Sequence, residues 1–162
     1  MAHLAVQDNT KLSIDEREII RSGATSTVAS LREFRQEFGE KTALCFIMGV
    51  DAFLKLQMWY CWQELFRLCH FVIVGRPGNV QVMNNEALPG VLRNECMSRW
   101  VNNANELEHK SEGLVFAAKT SLLEISSTQI RSLIASNRSV RYLLPGAVYD
   151  YIRINHLYVG EE

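Results

Sequence analysis

Three unbroken apolar runs punctuate the chain: ALCFIM at 43–48, HFVIVG at 70–75 and GLVFAA at 113–118. A short apolar run closed by turn residues reads as a strand buried on both faces, and these end at GVD (49–51), RPG (76–78) and, a few residues on, EISST (124–128). Between them the apolar period changes to that of a helix. TSTVASLREFRQEFG (25–39) has a hydroxyl cap at Thr25 or Ser26, apolar Val28, Leu31, Phe34 and Phe38 at helical spacing, and Gly39 as its stop. AFLKLQMWYCWQELFRLC (52–69) reads as mostly helical, and GVLRNECMSRWVNN (90–103) as a further helix. The tail holds two more, SSTQIRSLIAS (126–136) and PGAVYDYIRINH (145–156), the second opened by Pro145 in the first turn. Leu12, Ser13, Ile14 and Asp15 alternate within KLSIDEREI and predict a short strand over 11–19. MAHLAVQDN reads as the last turns of an amphipathic helix, so the chain opens in mid-element.

Apolar strands alternating with amphipathic helices predict an α/β fold, a mostly parallel sheet with helices on both faces. At 162 residues one domain with one core is expected over 1–162. Ligands in such sheets bind beyond the carboxyl ends of the strands, which directs attention to GVD, GRPG and EISST.

Charge and cysteine usage narrow the function. Net charge is -1, with both signs interleaved, so no basic stripe is present to bind a nucleic-acid backbone. Cys45, Cys61, Cys69 and Cys96 show neither C-x-x-C spacing nor the density of a secreted disulfide framework, which fits a reducing cytoplasm. No stretch approaches the ~18 apolar residues of a membrane span, and the start has no secretory pattern.

EISSTQIRS (124–132) carries the most chemistry. Ser126 is placed as an N-cap, which leaves backbone N–H groups, Ser127 and Thr128 beyond the strand end, a setting that can hold an anion. Arg131 lies one turn in, where the helix dipole disfavours a cation by about 0.3–1 kcal/mol, a cost that a multiply charged phosphate chain would offset. The plain alternative is an ordinary cap followed by a surface arginine. Gly49 would admit close approach of a ligand and Asp51 could accept ribose hydroxyls; equally, they suit a turn glycine and a helix cap. Trp59 and Trp62, three residues apart, share a helical face in this reading; one of them could offer a ring for stacking, or both pack in the core. His70 and His156 read as structural, and His3 and His109 have no visible role. No zinc-ligand set, nucleophile elbow or Walker loop is present.

In order and spacing, GVDAF with MWYCWQEL, then HFVIVGRPG, EISSTQIRSLI and VRYLLPGAVYDYIRINHLY resemble the bacterial nicotinate-nucleotide adenylyltransferases, and LSIDERE and TSTVASLREFRQEFG resemble that family's middle section. The resemblance covers nearly the whole chain. It implies a Rossmann-like nucleotidyltransferase fold and transfer of the adenylyl group of ATP, with Mg2+, to nicotinate mononucleotide, giving deamido-NAD and pyrophosphate. By the same resemblance, Ser126, Ser127, Thr128 and Arg131 bind the ATP phosphates, with Arg131 stabilising their charge, and Gly49 and Asp51 contact nucleotide ribose. Trp59 stacks on the nicotinate ring beside the Tyr60 backbone, Thr27 lies near the pyridine carboxylate, and Arg76 of RPG sits at the edge of the site. No resident metal site is implied by these residues.

The family's opening strand and its G-G-x-F-x-P-x-H-x-G-H turn, whose histidines act on the ATP phosphates, have no counterpart here. Thr25-Ser26-Thr27 also stands where the family has serine-tyrosine-threonine. The expectation is an N-terminally incomplete domain, lacking its first strands, whose upstream in-frame DNA encodes the missing turn. Two alternatives stand beside it: a non-catalytic nucleotide-binding remnant, or a sister nucleotidyltransferase with another acceptor such as phosphopantetheine.

Overall fold

The computed structural model describes residues 1–75, 85–121 and 123–160. They form two compact units, Arg17–Leu122 in one and Met1–Glu16 with Leu123–Glu162 in the other.

The first unit is built on four parallel strands, β1 (Cys45–Gly49), β2 (His70–Val74), β3 (Trp100–Val101) and β4 (Val115–Ala118), in the order β1-β2-β4-β3. The three apolar runs of the sequence supply β1, β2 and β4. β2 is the most deeply set: Phe71 and Ile73 are buried on one side and His70 on the other. Among the described residues only one face of β1 is covered. Met48 is buried, but Ile47 is 66% exposed, so the expectation of burial on both faces fails for this strand. A continuous apolar run fixes what a strand could bury, while the layer that covers each face comes from elsewhere in the chain. β1 is also an edge strand of the four.

Helix α1 (Ala2–Val6) belongs to the second unit; α2 (Arg17–Ile20) and α3 (Thr27–Phe38) belong to the first. Ser26 caps α3 by accepting the Ala29 N–H, and Gly39 ends it with φ 84°, a left-handed value that favours glycine. Val28 and Leu31 go into the core as the spacing requires, whereas Phe38 is half exposed. The strand predicted over 11–19 is absent: residues 12–16 have no regular structure and Arg17–Ile20 form a helical turn. Its charged residues bond to α3 instead. Arg17 reaches Glu37 at 2.8 Å, Arg21 reaches Glu33 at 2.7 Å, and the Ser30 hydroxyl donates to Glu18 at 2.6 Å. Four alternating positions with no strand to pair against cannot compete with those contacts.

The mostly helical reading of 52–69 also needs correction. The segment forms α4 (Val50–Phe53), a 3-10 turn (Leu56–Met58) and α5 (Trp62–Leu65), with Cys61 in the left-handed region at φ 50°, ψ 37°. That residue breaks the helical path, so Trp59 and Trp62 do not share a helix face. Phe53 and Phe66 still reach the core, their rings 5.6 Å and 4.8 Å from that of Phe71. The helix expected over 90–103 is shorter, α6 (Gly90–Cys96); Trp100 and Val101 turn into β3 beside β4, and the Trp100 indole donates to Asn85 at 3.2 Å.

His70 is fully buried and fully bonded. Its Nδ1 accepts the Leu114 N–H at 3.0 Å, which leaves Nε2 to donate to the Lys110 carbonyl at 2.9 Å. Cys69 and Cys96 have no exposed surface, and burial pushes both thiols up to about 12. Cys45 and Cys61 are exposed. Iodoacetamide at pH 8 is therefore expected to label Cys45 and Cys61 and to spare Cys69 and Cys96 until the protein is unfolded, as read by peptide mass spectrometry.

In the second unit α7 (Ser127–Ala135) and α8 (Gly146–Ile154) bury Ile130, Val140, Val148 and Ile152. Pro145 sits at the cap of α8, one residue ahead of its first turn. His3 of α1 bonds Glu16 at 2.8 Å. Among the described residues no helix is long and apolar enough to cross a membrane.

Candidate functional site

Six of the sequence-predicted site residues fall in the sheet unit, five of them among the described residues. Gly49 closes β1 at the carboxyl end, level with Val74 of β2, and is the cap residue of α4. Its φ of -72° and ψ of 151° suit any residue, so no turn demands a glycine here. Asp51 is exposed in the first turn of α4; the cap position belongs to Gly49.

Trp59 follows the 3-10 turn and is half-buried, its ring edge-on to Phe46 of β1 at 6.1 Å. The T-shaped contact anchors the indole on the sheet and makes it a packed residue as well as a candidate stacking surface. Tyr60 is 72% exposed, and a hydrogen bond to Cys61 raises its phenol above the ordinary value. Thr27 is half-buried as the first residue of α3, its start fixed by the Ser26 cap. Arg76 lies outside the described residues.

A feature that the sequence did not disclose links the elements bearing these side chains. Arg32 of α3 donates from Nε and Nη2 to the two carboxylate oxygens of Glu64 on α5, both at 2.7 Å. This forked pair ties the helix that begins at Thr27 to the helix that follows Trp59, Tyr60 and Cys61. The hydrogen bond from Arg32 holds the Glu64 carboxyl below its usual range. Because the folded value is the lower one, the pair is intact above the ordinary carboxylate value and is lost as pH falls through the depressed one. Glu64→Gln is expected to raise KM for a substrate held beside these elements by no more than about fivefold with kcat unchanged, an exposed pair being weak. The exchange Arg32→Glu with Glu64→Arg is expected to recover part of that loss in the same steady-state assay.

The remaining candidates lie at the start of α7 in the second unit. Ser126 is the N-cap, its hydroxyl accepting the Gln129 N–H at 3.1 Å. Ser127 and Thr128 are exposed in the first turn, and Arg131 Nη2 reaches the Thr128 hydroxyl at 3.4 Å. That is a long contact, which uses one of the five guanidinium N–H donors. The helix start therefore presents backbone donors, two hydroxyls and a guanidinium side by side. Among the described residues no three histidine, cysteine or carboxylate side chains are grouped to hold a metal ion.

Comparisons with known proteins identify the family. Residues 1–133 match the cytidylyltransferase-like family. A probable nicotinate-nucleotide adenylyltransferase of Marinobacter nauticus is 39% identical over 158 residues, 98% of this chain and 71% of the relative. The chain belongs to the nicotinate-nucleotide adenylyltransferase family. Two further members of that family show the same breadth: the probable enzyme of Halorhodospira halophila is 42% identical over 89% of this chain and 63% of its own length, and that of Yersinia pestis is 36% identical over 99% and 71%. Among solved structures, Plasmodium falciparum nicotinic acid mononucleotide adenylyltransferase complexed with APC covers 98% of this chain and 72% of its own with a TM-score of 0.62 at 15% identity. The same enzyme complexed with NaAD gives a TM-score of 0.53 at 16% identity, covering 85% of this chain and 58% of its own. These two likenesses show the Rossmann-like nucleotidyltransferase fold.

Proposed function

We propose that the chain, as a nucleotidyltransferase domain, transfers the adenylyl group of ATP to nicotinate mononucleotide, forming deamido-NAD and releasing pyrophosphate in NAD biosynthesis. The observation that carries this reading is the 39% identity over 158 residues to a relative of that name. The reaction suits a site without a side-chain nucleophile. The phosphate of the mononucleotide attacks the α-phosphorus in line, the bond to the pyrophosphate oxygen breaks, and catalysis consists of positioning and charge stabilisation.

In this reading the N–H groups at the start of α7, with Ser126, Ser127 and Thr128, bind the triphosphate, and Arg131 offsets charge on the departing pyrophosphate. Gly49 and Asp51 meet nucleotide ribose. Trp59 stacks on the pyridine ring, for about 0.5–1.5 kcal/mol beyond area burial. The Tyr60 backbone and the Thr27 hydroxyl face the ring carboxylate, and Arg76 closes the edge. Mg2+ enters as part of the ATP substrate, held by phosphate oxygens whose charge it neutralises. We place the reaction in the cytoplasm, in keeping with four free cysteines.

The test is pyrophosphate release by the 162-residue chain with ATP and nicotinate mononucleotide, run beside the amide mononucleotide and phosphopantetheine as competing acceptors. Turnover with nicotinate mononucleotide is expected. If ATP and the mononucleotide raise the melting temperature without turnover, the activity is reduced to nucleotide binding.

A further inference from the structure

We propose that the cavity between the carboxyl-terminal ends of α7 and α8 is a second anion site, which takes a small organic phosphate with an aromatic or apolar body. The cavity has a volume of about 510 Å³, within the range of small-molecule sites. Its polar wall carries Arg138, Arg153, Asn137 and Tyr149, and its floor includes the buried Val140 and Ile152.

The charges are the telling feature. Arg17, Arg32, Arg35 and Arg99 of the sheet unit all bond carboxylates or carbonyls. Neither the Arg138 nor the Arg153 guanidinium has a hydrogen bond or ion pair among the described residues, and Arg153 lies 5.7 Å from the ring of Tyr149. Among the described residues no carboxylate lines the cavity. His156 lines it too, and Asp150 lines an adjoining cavity that shares Tyr149 and Arg153 and also contains Arg141.

Helix dipoles do not cancel this charge. The carboxyl ends of α7 and α8, capped at Ser136 and Asn155, contribute roughly half a negative charge each. Among the described lining residues the two guanidiniums leave a net charge of about +1 before His156 is counted. A phosphate would take forked, charge-assisted bonds from the arginines, and a planar group would lie on Tyr149 and the apolar floor. This site is separate from the hydroxyl-rich start of α7. That helix has nine residues, so at ~1.5 Å per residue its two ends are about 13 Å apart.

Phenyl phosphate and inorganic phosphate titrated into the full chain, followed by calorimetry and ³¹P NMR, test the proposal. Saturable binding of phenyl phosphate is expected, with inorganic phosphate weaker because it leaves the floor empty. Arg138→Ala with Arg153→Ala should weaken phenyl phosphate by about tenfold or more and leave ATP binding unchanged, whereas Arg131→Ala should leave phenyl phosphate unaffected. Tyr149→Leu should weaken phenyl phosphate and not inorganic phosphate. Circular dichroism checks that each variant folds, and Arg138→Lys with Arg153→Lys replaces the alanine pair if that pair does not. Absence of saturable binding up to tens of millimolar, or loss of binding with Arg131→Ala in place of the cavity variants, would overturn the proposal.

Discussion

Arg131→Ala is expected to lower kcat/KM for ATP by about 10²–10³-fold, the effect of removing one preorganised donor from a developing charge. The expectation rests on adenylyl transfer as the activity. Within α7 the residue has little structural work. Its side chain is exposed and its one side-chain hydrogen bond among the described residues is the long bond to Thr128, while the helix dipole disfavours a cation in this turn. Removing it should therefore change folding stability by no more than about 0.5 kcal/mol, as at other surface positions. The two readouts separate an anion site from a surface arginine: a large kinetic loss with an unchanged melting temperature supports the first. Arg131→Lys should recover part of the rate, since an ammonium supplies charge without the guanidinium fork. A loss below about threefold for alanine would reduce the start of α7 to a capped helix and nothing more.

The helix start was legible because its signal is local. Ser126 could be placed as an N-cap from Ser126, Ser127, Thr128 and the apolar period after them, and the cap bond to Gln129 is where that reading put it. β2 and β4 were legible for a similar reason, as apolar runs with turn residues behind them. The failures share the opposite property. Nothing within residues 52–69 discloses that Cys61 adopts a left-handed conformation, because the aromatic density of MWYCW is the same on a helix or on a broken turn. The alternation at 12–15 had no strand to pair with, and the two-residue β3 is too short to have a period. Arg32 and Glu64 stand 32 residues apart, and a partner at that separation leaves no trace in either local pattern. The open face of β1 was hidden too, since ALCFIM states an apolar composition and says nothing of what lies against it.

Arg35→Met is expected to cost the sheet unit about 3–5 kcal/mol, the largest stability loss of any substitution proposed for this protein. In sequence Arg35 looks like one more polar position of α3, yet it is 4% exposed. Its guanidinium donates to the carbonyls of Leu68 at 2.8 Å, Thr42 at 2.6 Å and Ser111 at 2.7 Å, with longer bonds to Gly39 and Glu40. Glu112 lies 3.8 Å away. One cation thus satisfies the backbone of the loop leading to β1, the segment before β2 and the segment before β4, the three approaches to the paired strands. Methionine fills much of the same space and makes none of these bonds, so the loss is the cost of orphaned carbonyls, about 1–3 kcal/mol for each that water cannot reach. Lysine keeps the charge but has three donors in place of the planar fork, and should fall between the two. Against a typical total of about 5–15 kcal/mol, the methionine variant is near the limit of remaining folded. Urea unfolding followed by fluorescence measures it, because Trp59, Trp62 and Trp100 all lie in this unit. A loss below about 1 kcal/mol would mean that water replaces the guanidinium at each carbonyl, and that the strands are held by their apolar faces alone.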